Sequence, residues 1–321
     1  MENIIKEKSE ILFLYEVKYS IPNGDPFTGE QRYDEDSKKI LVSDVRIKRF
    51  IRDYLQEAGN FEIYVTDKEK SLLDSKESGS ASRLNALIEK HKTKHNISNP
   101  KKITEEQLLK VMQECIDVRL FGGISTKEKA AVNLTGPVQF ALLNPSLNRV
   151  DLRIHQNTSL FSSSGEKSRG AIGTTSIVPY AVCQIHGWVT PFAARYTSLT
   201  PDDLDTMFTA LWESVNNSNT RSKSGQDSLL LLQFVYQKPT DKVYGIDRAL
   251  YLEPAGGVSE EQVRSFEEAG LKVDRLKEII NSPKIKEVRY YTEHPAVEAA
   301  LTELLSDKLK KMQLKPVYQT A

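Results

Sequence analysis

The apolar run Leu229 to Tyr236, LLLLQFVY, constrains the fold more than any other stretch of this chain. It is too short to cross a bilayer, which takes about 20 apolar residues. A short apolar run bounded by turn residues fits a strand buried in a core. It follows directly on NNSNTRSKSGQD, where Arg221 and Lys223 sit among Thr220, Ser222, Ser224 and Gly225. A cationic, hydroxyl-rich turn therefore stands at the mouth of a core strand.

A partner strand is legible near the N-terminus. In ILFLYEVKYSI, the residues Ile11, Phe13, Tyr15, Val17, Tyr19 and Ile21 alternate with their neighbours and share one face. A Pro, Gly and Asp-rich loop follows, PNGDPFTGEQRYDEDSKK. SDVRIKRFIRDYLQEAG predicts a helix capped by Ser43 and ended by Gly59, with Ile47, Phe50, Ile51, Tyr54 and Leu55 as its buried stripe. FEIYVTD, residues 61–67, predicts a short strand. From Lys68 to about Lys102 the chain turns polar and Lys-rich, as an insertion would. A Thr104/Gln107 capping box starts the next helix. DVRLFGG reads as a sharp turn, and LTGPVQFALL and IVPYAVCQIHGWVT as strands. Between those two strands lies Asn157 to Ser176, a Ser/Gly-rich loop or extended hairpin. TPDDLDTMFTALWESV predicts a helix with a Thr200/Asp203 capping box, Pro201 in its first turn, and Leu204, Met207, Phe208, Leu211 and Val215 buried. The tail adds helices near 259–269, 272–281 and 295–311. The order strand, helix, strand, insertion, strand, helix, strand is that of a ferredoxin-like or RRM-like α+β core.

Charge excludes little but shapes the reading. Lys+Arg and Asp+Glu balance at 44 each, so bulk attraction to nucleic acid is absent and any such binding needs a local patch. Cys115 and Cys183 lie far apart without a CxxC spacing, which fits a reduced cytoplasmic setting rather than a disulfide framework. No signal peptide or membrane span is predicted.

Catalytic signatures are missing: no GxxxxGK[ST], HExxH, Cys/His zinc pattern or GxSxG occurs. No cofactor or metal is expected. His91 and His95 are spaced to share a helix face, yet a third ligand is not evident, and a solvated face explains them. His186 reads as a hydrogen-bonded strand residue. Arg119 reads equally as a structural ion-pair residue or a surface charge. Arg46, Lys48, Arg49 and Arg52 lie off the apolar stripe of the first helix, and on their own suit a solvated face. TRSKSG differs: guanidinium, ammonium, hydroxyls and turn N–H groups together suit phosphate oxygens. Gly225 lets a backbone approach closely.

YSIPNGDPFTGEQRYD, VSDVRIKRFIRDYL, DVRLFGG, LTGPVQF, VPYAVCQIHGWVTP and NTRSKSGQ occur in this order, between about Ile11 and Tyr236. As a set they resemble the CRISPR-associated backbone subunit of type I Cascade complexes, most closely subtype I-B and then I-C. The resemblance implies one RRM-like palm spanning 1–321, with a finger-like helical insertion at 67–118, a thumb-like hairpin at 155–177 and a helical extension at 241–321. It implies a non-catalytic protein whose copies polymerise along a CRISPR RNA (crRNA), grip its backbone and present guide bases to a target DNA strand in antiviral defence. Further implied partners are neighbouring copies, the large subunit, the subunit capping the 5′ handle and the crRNA-processing endoribonuclease.

Carried over by residue, the resemblance implies RNA-phosphate contacts from Arg221, Ser222 and Lys223 and from the basic helix Arg46, Lys48, Arg49 and Arg52. Asn23 and Gly24 would bring backbone groups near RNA, and Lys167 and Arg169 would act from the thumb. The aromatic RNP1 pattern of RNA-stacking RRMs is absent, so recognition of the backbone rather than of base identity is expected. Two alternatives stand beside this reading. In a type III-like relative that cuts target RNA with a metal, Asp25 or Asp34 would be the acidic residue. In an α+β protein without RNA, the basic patches would be plain surface.

Overall fold

The computed structural model describes residues 3–66, 79–125, 127, 130–158 and 172–317. The chain opens with β1 (Ser9–Ser20), β2 (Tyr33–Asp34), β3 (Lys39–Ser43) and α1 (Asp44–Glu57). Then come α2 (Ser80–His91), α3 (Glu105–Gln113) and α4 (Ile116–Phe121), followed by β4 (Gly122–Ser125), β5 (Val132–Thr135), β6 (Val138–Phe140) and β7 (Leu143–Pro145). β8 (Arg153–Thr158) and the long β9 (Ile172–Val189) lead to α5 (Pro191–Thr197), α6 (Pro201–Asn216) and β10 (Gln226–Tyr236). The remainder holds β11 (Tyr251–Leu252), α7 (Phe266–Ala269), β12 (Leu271–Lys272), α8 (Asp274–Asn281), β13 (Ile285–Tyr291), α9 (Pro295–Thr302) and β14 (Leu309–Lys311).

The architecture is mixed α+β around one sheet in the order β14-β13-β10-β1-β9-β6, with β8 paired to the first half of β9. β1 sits between β10 and β9 and is antiparallel to both, from Ser9↔Val235 to Val17↔Gln226 and from Ser9↔Val189 to Ser20↔Val178. Among the described residues only the β13–β14 pairing is parallel.

Both faces of this sheet are covered, which is why its strands read as apolar runs rather than clean alternations. Ile11, Phe13, Tyr15 and Val17 face the layer built by α1 and α6. Leu12 and Leu14, with Leu230, Leu232, Phe234 and Tyr236, face a second core closed by the tail through Ile246, Phe266, Leu276, Ile280 and Leu301. The α2–α3 region carries a small core of its own, including Leu84, Leu87, Ile88, Leu108, Val111 and Met112.

Both capping boxes form: Thr104 with Gln107 before α3, and Thr200 with Asp203 before α6. The predicted stripe of α6 is buried at all five positions. Ser43 occupies the N-cap of α1 without capping it, because its hydroxyl donates to Asn23 Oδ1 at 2.7 Å instead.

Several expectations change. DVRLF belongs to helix α4 rather than to a turn, and the last tail helix ends at Thr302 because Leu309–Lys311 forms β14. The face-sharing of β1 stops at Val17, because Tyr19 adopts a left-handed φ of 46° and is 65% exposed. Residues 61–66 are not a strand: the backbone N–H groups of Tyr64 and Val65 donate to the Asp117 carboxylate at 2.7 and 3.1 Å, so a side chain takes the place of a strand partner. The second strand of the core order is β6 instead. The tail is not purely helical either, since IKEVRYY forms β13 and extends the sheet. Its charges hid the pattern. Buried Glu287 is neutralised by Arg289 and by Lys310 of β14. Both cysteines are buried and unpaired. Among the described residues no helix is long and apolar enough to cross a membrane.

Candidate nucleic-acid interface

The cationic turn folds back onto the end of β1. Lys18 N–H donates to Gly225 O at 2.7 Å and Ile21 N–H donates to Ser222 O at 2.9 Å. Within the turn, the N–H groups of Lys223 and Ser224 both donate to Thr220 O. Gly225 has φ +79°, and a Cβ there would stand 2.5 Å from Lys18 O. The close backbone approach that this glycine permits is therefore that of β1, within the protein.

The three turn candidates take different places. Arg221 is exposed, Ser222 is half-buried, and Lys223 bends inward. The Lys223 ammonium donates to the carbonyl of Ile21. Burial, reinforced by the Arg46 charge, pulls the Lys223 amine down to about 7. Arg46 lies across the Phe50 ring at 3.8 Å, and its Nε has no hydrogen-bond partner. Burial also lowers its pKa. Asp53, the carboxylate whose field reaches Arg46, is already bonded to Arg49 at 2.8 Å. The Arg46 charge thus reaches Lys223, and among the described residues neither cation is ion-paired with a carboxylate. The buried Ser20 hydroxyl at the end of β1 and the Gln226 Oε1 at the start of β10 also lack partners.

Of the other α1 cations, Arg49 pairs with Asp53 and its charge also reaches Arg46, whereas Lys48 and Arg52 do not join this pair. Lys48 bonds Asp44 and Gln139 at 3.3 and 3.0 Å. Arg52 donates through Nε to buried Asp117 at 2.9 Å and lies 5.2 Å from the Phe121 ring. They face α4 and β6, away from the turn, and are half-buried rather than fully solvated. Asn23 is buried, and its side chain accepts from both the N–H and the hydroxyl of Ser43. It ties its loop to the start of α1, and Gly24 bridges to Gln31 across the same loop. Lys167 and Arg169 lie outside the described residues.

Asp25 accepts from the N–H groups of Phe27 and Thr28 and pairs with Arg32 at 3.1 Å. The Phe27 bond holds its carboxyl below the usual range. Asp34 accepts from the Ser37 hydroxyl, which lowers its carboxyl likewise. Both carboxylates anchor local turns. His95 bonds Glu114 at 2.9 Å, and among the described residues no group of three metal-ligating side chains occurs. His186 bonds buried Glu10 at 2.9 Å, as a strand residue would. Arg119 is a structural ion-pair residue, gripping Asp203 through two bonds of 2.9 and 2.7 Å.

Two exposed aromatics escaped sequence reasoning. Tyr19 stands between the two hydrogen bonds that clamp β1 to the turn. Phe27 is 97% exposed at the tip of the Asn23 loop. Strand alternation placed Tyr19 inside. The only available signal was that its face had to end before the turn.

The geometry can be set beside known proteins. CRISPR-associated protein Cas7 of Haloferax volcanii is 28% identical over 294 residues, covering 85% of this chain and 82% of that protein. In fold, the chain is similar to a chain of a CRISPR RNA-guided surveillance complex, pre-nicking, with a TM-score of 0.56 at 13% identity, covering 96% of this chain and 97% of the other. The model of the family described as CRISPR-associated protein Cas7 matches residues 7–274, most of the chain, and this protein belongs to that family.

Proposed function

We propose that this protein is the non-catalytic backbone subunit of a type I, subtype I-B Cascade complex, binding crRNA in the cytoplasm through its phosphates. Copies polymerise along the guide and present its bases to target DNA, with the large, handle-capping and RNA-processing subunits as further partners. The palm is a modified RRM-like fold, a reading supported by the order β10-β1-β9-β6, which is fourth, first, third and second in the split βαβ scheme. Residues 67–118 serve as the finger, 155–177 as the thumb and 241–321 as the extension.

The observation that carries this reading is the Arg46–Lys223 pair. Buried cations are normally paired with anions. Here Lys223 lies in the field of Arg46, both are half-buried, and the one carboxylate in range, Asp53, is already bonded to Arg49, so a phosphate would supply the missing charge. Arg221 and the Ser222 hydroxyl extend the site outward. Tyr19 and Phe27 offer stacking faces that accept any base. Stacking on the open sheet, the usual RRM mode, has no room, because the tail covers that face.

The test is co-expression with and without a CRISPR RNA and the partner subunits, reading the absorbance ratio at 260 and 280 nm and the particle mass. RNA-bearing oligomers are expected, with RNA lost in the R46A/K223A variant. R221A should weaken all guide sequences alike and reduce the salt slope by about one. A nucleic-acid-free monomer under both conditions refutes the proposal.

A further inference from the structure

A second polar cleft lies away from the turn, where β7 and β9 meet the tail. It has a volume of about 500 Å³ and is lined by Lys39, Gln184, His186, Arg248, Tyr251 and Arg275 among others. That volume is within the range of small-molecule sites. Gln184 projects from the sheet face opposite α1 and α6, since its cross-strand partner is Leu14 of the tail-side core. The cleft and the Arg46–Lys223 pair are therefore on different sides of the sheet.

Its floor carries an unmet demand. Gln184 is 9% exposed, and its Nε2 donates to Asp247 O at 2.7 Å. That bond fixes the amide orientation and leaves Oε1 as an acceptor with no partner among the described residues. An orphaned buried acceptor calls for a donor. Beside it, His186 is locked by Glu10, which also accepts from Tyr236 Oη at 2.7 Å. The rim is cationic. Arg275 lies over the Tyr251 ring at 4.2 Å, and Lys39 reaches Leu147 O at 3.2 Å. Of the carboxylates on the rim, Glu260 is engaged by the backbone N–H of Arg149 at 2.8 Å, and Asp247 stands beside Arg248.

We infer that this cleft binds a single nucleotide, with an N–H of the base donating to Gln184 Oε1 and the phosphate held at the rim by Arg248 and Arg275. A base supplies a planar donor edge, and a phosphate supplies the anion that three cations favour. A nucleotide carries both on one sugar, and the cleft's volume is large enough for a small molecule of that size. The site does not depend on the guide-binding reading above.

The experiment is calorimetric titration of the RNA-free full chain with AMP, and separately with ribose 5-phosphate. AMP is expected to bind, and ribose 5-phosphate to bind about tenfold more weakly because Gln184 stays unpaired. Q184L should erase that difference, and R248A/R275A should weaken both ligands at least tenfold. R46A/K223A should keep the preference for AMP over ribose 5-phosphate, which Gln184 sets. Thermal melts screen Q184L for folding, and the exposed Arg248 keeps the test available if Q184L fails to fold. No heat at millimolar AMP overturns the inference and leaves a water-filled cleft. Binding lost in R46A/K223A but kept in R248A/R275A also overturns it, by moving the nucleotide to the turn.

Discussion

Guide affinity should fall as pH rises through the range in which Lys223 loses its proton. In the RNA-free protein this amine sits near 7, because burial and Arg46 both disfavour its charged form. A phosphate beside it restores an ordinary lysine value of about 10.4. Binding then takes up a proton at any pH between those two values, and affinity drops about tenfold per pH unit there. From pH 7 to 8.5 the loss is about 16-fold, since half of the amine is already uncharged at pH 7. Below pH 6 the amine is already charged and the curve is flat. K223R keeps its charge throughout and should show a flat profile over the same range. Fluorescence anisotropy with one labelled guide at constant salt measures both curves, and the RNA's own titration cancels between them. Identical pH profiles for wild type and K223R would falsify the assignment of Lys223 as a buried phosphate ligand.

The same shift has a stability consequence of opposite benefit. Lys223 is lowered from 10.5 to about 7 on folding, so between those values the unfolded chain holds more protons. The RNA-free protein therefore gains stability as pH rises from about 7 toward 10. The burden of the buried charge is fully present below 7. K223M should flatten that slope and stabilise the RNA-free protein at pH 6 by about 1–2 kcal/mol, while weakening guide binding to the level wild type shows at high pH. Urea unfolding at pH 6 and pH 9 reads this directly.

Three structural predictions rest on single side chains. Asp117, fully buried, accepts from Arg52, Tyr64 and Val65, so D117A should cost about 3–5 kcal/mol in urea unfolding and speed amide exchange at Tyr64 and Val65. D203A strips both the bidentate partner of Arg119 and the capping box of α6. It should cost about 3–4 kcal/mol, with T200A costing only about 1 kcal/mol by the same assay. G225A should cost about 1–3 kcal/mol, because its Cβ meets Lys18 O in a left-handed backbone. It should also weaken guide binding by displacing the turn.

What the sequence made legible was what local rules govern. The caps of α3 and α6, the stripe of α6 and the burial of LLLLQFVY are short-range patterns, and each appears where it was expected. Long-range compensation was hidden. FEIYVTD has the composition of a strand, but Asp117, some fifty residues later, satisfies its backbone. IKEVRYY looked too charged for a core strand because Glu287 finds its cations on Lys310 and Arg289. At the site, hydroxyl and cation chemistry identified the turn. The inward bend of Lys223 and the role of Arg46 as its neighbour depend on β1 and α1 meeting there, which no spacing along the chain announces. The same holds for Lys48 and Arg52, which share a helix with Arg46 but spend their charges on Gln139 and Asp117.

The covered sheet sets how selective this protein can be. An RRM that reads bases uses its open face, and here Tyr236, Leu230 and Leu232 on that face pack against the tail. What remains for a long RNA is the end of β1 beside the cationic turn, where the groups are cations, a hydroxyl and two exposed aromatics, Tyr19 and Phe27. None of these distinguishes one base edge from another. Oligo-A, oligo-C and oligo-U guides of equal length should therefore bind within a few-fold of one another at fixed salt. Tyr19→Ala should weaken all three by a similar factor, about 1–3 kcal/mol if the ring stacks on a base. A loss confined to one oligomer would mean that Tyr19 reads a base. The seat would then be a sequence-specific pocket, which a subunit that must accept every guide could not use.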